Sequence, residues 1–160
     1  MTLYVLRHAI AEEPLPGQSD SARQLTPLGR EKARRVLSHA HRVGTRPELV
    51  LTSPYARAAQ TAAIAQEELR MAKPLVETDA LVPFVDVFSL WDELREHLDG
   101  DLMIVGHNPQ LSSLVSWLLG ARGDSLWLKK SGLVALDVGS AGPRPRAMLS
   151  WLLTPGSVGR

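Results

Sequence analysis

The chain has 160 residues, of which 44% are hydrophobic and 22% charged, the composition of one soluble globular domain and not of a disordered chain. Its net charge of +1 leaves no bulk electrostatic footprint for nucleic acid or an acidic membrane. The lack of cysteine removes disulfides, thiolate metal sites and every cysteine-nucleophile mechanism. No basic segment precedes an apolar signal core and no apolar run reaches the length of a membrane span, so a cytoplasmic protein with no membrane attachment is expected.

The elements follow in order over a single domain, 1–160. Leu3-Tyr4-Val5-Leu6 reads as a buried strand that ends on Arg7-His8, and residues 9–24 form a polar loop. Thr26-Pro27 is a favoured helix start, and Leu28, Ala33, Val36, Leu37 and Ala40 give that helix an apolar stripe running to about Gly44. Glu48 to Thr52 is the second strand. Ser53-Pro54 is read as a capped start of an alanine-rich helix reaching about Leu69. A short extended piece spans Leu75 to Thr78. Val87, Leu90, Trp91, Leu94 and Leu98 then mark a third helix of nearly three turns, ended by Gly100. Asp101 to Val105 is a strand leading through Gly106-His107-Asn108-Pro109 into a helix whose apolar face is Leu111, Leu114, Val115, Leu118 and Leu119. Gly132 to Val138 and Ala147 to Leu153 close the chain as a hairpin. The alternation predicts an α/β fold: a mainly parallel sheet with helices on both faces and an antiparallel edge.

Three strand ends carry polar signatures: Arg7-His8, the run from Ser53 to Thr61 with Arg57 in the first helical turn, and Gly106-His107-Asn108-Pro109. Parallel strands bring such junctions to one rim, where open α/β sheets bind ligands. Two helix amino ends add positive dipole ends there. Two guanidiniums, two imidazoles and two helix starts suit a compact dianion, and phosphate matches a planar guanidinium bidentately.

Leu-Arg-His-Ala, Leu-Thr-Pro-Leu-Gly, Ser-Pro-Tyr-Ala-Arg-Ala-Ala-Gln-Thr-Ala and Gly-His-Asn-Pro, in this order, resemble the histidine phosphatase superfamily, and in length and detail its phosphohistidine phosphatase branch, the SixA type. The resemblance implies a three-layer α/β/α fold like that of phosphoglycerate mutase. It implies that His8 is a nucleophile forming a covalent phosphohistidine, that Arg7, Arg57 and His107 bind the phosphoryl oxygens, and that Arg23 lines the same pocket, with Asn108 as a further contact. No metal or cofactor is required, because the arginines neutralise the phosphoryl charge. One departure stands out: the family's usual Arg-His-Gly is Arg-His-Ala, so the loop must accommodate the Ala9 methyl.

Larger members of the family carry an acid that protonates the leaving oxygen. The candidate acid here is Asp86, with Glu77 and Asp79 more distant, and Asp86 also reads as a helix-start residue. A site without a strong acid favours a phosphohistidine substrate over an alkyl phosphate, because a phosphoimidazole protonated on its other nitrogen leaves as neutral imidazole, whose conjugate acid has a pKa of about 6.5. The expected partner is therefore a protein carrying phosphohistidine. The alternatives are a small phosphomonoester and a binding module without turnover. His39 and His41, two apart on a helix, read as surface residues and not metal ligands. Lys129-Lys130 reads as a solvated turn rather than an extension of the anion site or a contact for a protein substrate. Trp117, Trp127 and Trp151 read as packing or rim residues.

Overall fold

The alternating strands and helices become one six-stranded sheet covered on both faces in the computed structural model, which describes residues 1–123 and 125–159. The strands are β1 (Thr2–Arg7), β2 (Leu49–Thr52), β3 (Val76–Glu77), β4 (Leu102–Gly106), β5 (Leu133–Val138) and β6 (Ala147–Leu153). The helices are α1 (Pro27–Arg42), α2 (Ala56–Glu68), α3 (Val87–Arg95) and α4 (Gln110–Leu118). The spatial order is β3-β2-β4-β1-β5-β6. Strands β3, β2, β4 and β1 run parallel, and β5 and β6 add the expected antiparallel edge.

The unbroken apolar runs of β1 and β4 follow from burial on both faces. Leu3, Val5, Leu102 and Ile104 point to one core, shared with Leu90 and Leu94 of α3 and Leu111 and Leu114 of α4. Tyr4, Leu6, Met103 and Val105 point to the other, against Ala33 and Val36 of α1 and Ala58 and Ala62 of α2. Each fully buried leucine contributes on the order of 2 kcal/mol relative to exposure, and the alanines let α1 and α2 lie close to the sheet. No helix among the described residues is long and apolar enough to cross a membrane.

Two boundaries differ from expectation. Helix α2 starts at Ala56 with Tyr55 as its N-cap; the Ser53 hydroxyl, expected as the cap, accepts the Tyr55 N–H at 3.2 Å and also meets a histidine at 2.8 Å. Helix α3 ends at Arg95, and the buried Leu98 continues its apolar stripe from a turn, not from a third helical turn. The loop after β1 holds a single 3-10 turn, Asp20–Ala22.

Register places the site. Arg7 lies opposite Gly106, and Val105 opposite Thr52, so three adjacent strands end level and release His8, His107 and Ser53 at one rim. The Leu-Thr-Pro-Leu-Gly motif pins the chain just after His8. Thr26 caps α1 by accepting the Gly29 N–H at 2.9 Å, and its own N–H donates to the Ile10 carbonyl at 3.0 Å. Gly29 sits so close that a Cβ there would strike the Ile10 carbonyl. Gly29→Ala must displace backbone and not a flexible side chain, so it should destabilise the fold by about 1–3 kcal/mol; chemical denaturation checks this, and an unchanged midpoint would contradict the close approach.

Candidate active site

The rim collects its groups by three routes. Strand β1 ends on Arg7 with His8 directly after it, the first turn of α2 carries Arg57, and the segment joining β4 to α4 carries His107. With Asp20 and Arg23 from the first loop they line one cavity of about 270 Å³. His8, Arg57 and His107 are each more than nine-tenths buried. The two imidazole centroids are 5.2 Å apart. A larger hollow of about 680 Å³, at the opposite rim beside Asp137 and Met148, is lined by no histidine.

Each group is held by neighbours that the motifs supply. The His8 Nδ1 donates to the Ala9 carbonyl at 2.7 Å. A carbonyl only accepts, so that proton lies on Nδ1 and the lone pair of the neutral ring lies on Nε2. Ala9 is fully buried, and its N–H donates to Thr61 Oγ1 at 3.0 Å. The methyl that departs from the family's glycine thus packs into the α1/α2 core. Gln60 accepts the Leu25 N–H at 2.9 Å, so two residues of the α2 motif serve to fix the loop after β1. Ser131 donates its N–H to the carbonyls of Arg7 and His8, at 3.2 and 3.3 Å, and fixes the end of β1 from the other side.

The arginines are only partly satisfied. Arg7 donates through Nη1 to the Leu128 carbonyl at 3.0 Å. Arg57 donates through Nη1 to the Asp20 carbonyl at 2.8 Å and through Nη2 to its carboxylate at 3.0 Å. Arg23 reaches the other oxygen of that carboxylate through Nε at 2.9 Å and the Glu12 carbonyl through Nη1 at 3.1 Å. The Nε of Arg7, the Nε of Arg57 and Nδ1 of His107 are buried with no partner among the described residues.

Asp20 is the residue that sequence reasoning missed. Partial burial opposes its ionisation, but hydrogen bonds and charge from Arg23 and Arg57 outweigh that and hold its carboxyl below the usual carboxylate range. Nothing in the run Gln18-Ser19-Asp20-Ser21 marks it, because its partners are brought close only by tertiary structure. Ser53 was likewise read as a cap, whereas its hydroxyl lies 2.8 Å from His107 Nε2.

Of the remaining expected site residues, Asp86 lies outside the cavity and Asn108 lines it. Asp86 caps α3: its carboxylate accepts the Ser89 N–H at 2.9 Å and the Ser89 hydroxyl at 2.6 Å, which keep it below its ordinary range, and it does not line the cavity. It is therefore poorly suited to be an acid, and Glu77 and Asp79 do not line the cavity either. Asn108 lines the cavity, but its amide is engaged within the protein. Its Nδ2 donates to the Leu128 carbonyl at 2.7 Å, and its Oδ1 accepts from Ser112 Oγ at 2.7 Å and Ser112 N at 3.2 Å. Trp127 is a rim residue, 65% exposed and 5.7 Å from the Arg7 guanidinium carbon.

Burial, then the charges of Arg57, Arg7 and Lys130, push the His8 imidazole down to about 4, against the opposing pull of the Ala9 carbonyl. Burial, then His8 and the two arginines, lower His107 to about 3, opposed by Asp20. Both rings are neutral at pH 7. Their folded pKa values lie below the unfolded value of about 6.5, so the unfolded chain binds more protons between about pH 6.5 and 4, and stability falls as pH drops through that window. The melting temperature should therefore decline from pH 7 to pH 4.5, and less steeply in His8→Asn. Equal slopes in the two proteins would contradict a buried neutral His8.

A family model for the histidine phosphatase superfamily (branch 1) matches residues 3–82. An uncharacterized protein of Picosynechococcus sp. is 35% identical over 144 residues, covering 88% of this chain and 87% of the relative. Among solved structures, the protein histidine phosphatase SixA complexed with tungstate superposes with a TM-score of 0.88 at 22% identity, over 99% of this chain and 100% of that one. A candidate phosphohistidine phosphatase SixA from Agrobacterium tumefaciens superposes with a TM-score of 0.83 at 26% identity, over 96% and 97%. The chain belongs to the histidine phosphatase superfamily. It has the phosphoglycerate mutase-like fold, it is similar to the SixA type, and it is a phosphatase.

Proposed function

We propose that this phosphatase removes the phosphoryl group from phosphohistidine in a protein, through a covalent intermediate on His8. The observation that carries the reading is the convergence of Arg7, Arg57 and His107 on one cavity with His8, whose neutral ring has its lone pair fixed on Nε2. Arg7, Arg57 and His107 hold the phosphoryl oxygens and stabilise their charge, with Arg23 beside them. The phosphate displaces the Asp20 carboxylate from Arg57.

In the first step, His8 Nε2 attacks phosphorus. The Nε2–P bond forms as the P–N bond to the substrate imidazole breaks, and the departing electron pair stays on that ring. The substrate ring carries a proton on its other nitrogen, so it leaves as neutral imidazole. In the second step, water attacks phosphorus, the P–Nε2 bond breaks, its electron pair returns to His8, and inorganic phosphate is released. His8 starts neutral, as a nucleophile must. Among the described lining residues the only carboxyl is Asp20, and two arginines hold it ionised. That environment supplies no ready proton to an alkoxide, which favours phosphohistidine over a sugar phosphate.

Ser53 sets the tautomer of His107. Its oxygen accepts the Tyr55 N–H, and the acceptor in reach of its own proton is His107 Nε2. The ring proton of His107 then lies on Nδ1, the atom without a partner. Outer-shell partners of this kind are worth about 10–100-fold. Ser53→Ala should lower kcat by about tenfold beyond the modest loss of stability that follows from the unpaired Tyr55 N–H, and the imidazole 15N spectrum should show His107 losing its single tautomer. An unchanged spectrum would contradict the role.

The substrate class is tested by comparing a phosphohistidine peptide, para-nitrophenyl phosphate and a sugar phosphate. The first two should turn over at least about a hundredfold faster than the third, within the range that general acids contribute, and His8→Ala should abolish turnover of all. Comparable rates on the sugar phosphate would overturn the phosphohistidine assignment, and residual full activity in His8→Ala would overturn the mechanism.

A further inference from the structure

Beside the active-site cavity runs a second hollow of about 610 Å³ that shares Arg7 and Lys130 with it. Its walls come from four separate parts of the chain: Arg7 and Ile10 at and just after the end of β1, Lys32 from α1, Trp127, Lys129 and Lys130 before β5, and Thr154 to Gly156 after β6. Elements so far apart in sequence make a trough open at the surface. Four cations line it (Arg7, Lys32, Lys129 and Lys130), and no carboxylate does among the described residues. The chain as a whole has a net charge of only +1, so this density of one sign is local. None of the three lysines has an ion-pair partner among the described residues. On the same wall the Trp127 ring is 65% exposed, a large apolar surface whose burial would favour association.

We propose that this trough holds the polypeptide flanking the phosphorylated side chain of a protein substrate, and that the flanking segment is acidic. The inference rests on the phosphohistidine reading and adds to it a docking surface and its sign. The two hollows share Arg7 and Lys130, so a chain bearing a phosphoryl group seated between Arg7 and Arg57 has the trough immediately beside it. Aspartate and glutamate in that chain meet Lys32, Lys129 and Lys130, and an apolar side chain covers Trp127. Exposed lysines act here through steering and sign discrimination more than through tight individual pairs. Lys129-Lys130, which reads in the sequence as a solvated turn, becomes one wall of a recognition surface.

The test uses two phosphohistidine peptides of equal length, one flanked by aspartate and glutamate and the other by serine and glutamine, with para-nitrophenyl phosphate as control. The wild type should show kcat/KM about tenfold higher for the acidic peptide, and the difference should shrink as salt is raised. The double variant K32E/K129E should lower kcat/KM for the acidic peptide by about tenfold while leaving the aryl phosphate within about twofold. Equal kcat/KM for the two peptides in the wild type would overturn the docking surface alone. Hydrolysis of the aryl phosphate with neither peptide turned over would overturn the phosphohistidine reading, and the docking surface with it. If K32E/K129E instead lowered turnover of adenosine 5′-monophosphate and spared both peptides, the trough would be a nucleotide subsite and the proposal wrong.

Discussion

The structure depends on concentrating positive charge beside two imidazoles that burial keeps neutral. Three parallel strands that end level bring Arg7, Arg57, His8 and His107 around one cavity. The fold can hold that arrangement because backbone carbonyls take part of the guanidinium donors and the Asp20 carboxylate neutralises one edge. On the reading proposed above, such a cavity suits a dianion, and contacts such as the Thr26 cap and the Ser131 N–H hold the segments that carry its groups.

Asp20 gives this affinity a threshold. Its carboxylate lies on Arg57 and Arg23, where a ligand anion would compete with it. On the reading proposed above, the three terminal oxygens of a phosphoryl dianion would meet the arginines and His107 together, whereas a monoanionic carboxylate would meet fewer of them and gain little by entering.

Much of the fold could be read from the sequence because its signals were local. Buried-on-both-faces strands appear as apolar runs in β1 and β4, amphipathic helices as stripes in α1, α3 and α4, and the Thr26-Pro27 start as a cap. The boundaries that moved did so where tertiary contacts overrode local chemistry. Ser53-Pro54 has the form of a helix start, yet the Ser53 hydroxyl meets His107, and the helix begins at Ala56. Leu98 keeps the spacing of α3 although the helix has already ended at Arg95.

The site divides the same way. Arg7, His8, Arg57 and His107 are recognisable because each follows a strand end or opens a helix, and parallel topology forces such places together. Arg23 converges with them through its hold on Asp20 and Glu12. Asp20 lies on a three-residue turn whose position no periodicity encodes, and Ser53 is disguised by its own capping grammar. Asn108 lines the cavity with its amide held by Ser112 and Leu128, whereas Asp86 has the chemistry of an acid but caps α3 outside it. Residue type and proximity in sequence said what these groups could do; only their partners decide what they do.

The central claim is that phosphorus is transferred to one ring nitrogen, Nε2 of His8. Rapid acid-free quenching during turnover of a phosphohistidine peptide, followed by peptide mapping and 31P–15N correlation, tests it directly. The account predicts one phosphorylated residue, His8, with phosphorus bonded to Nε2 and the label lost on chase. Phosphate found on Nδ1, on His107, or on no residue while turnover proceeds would contradict it.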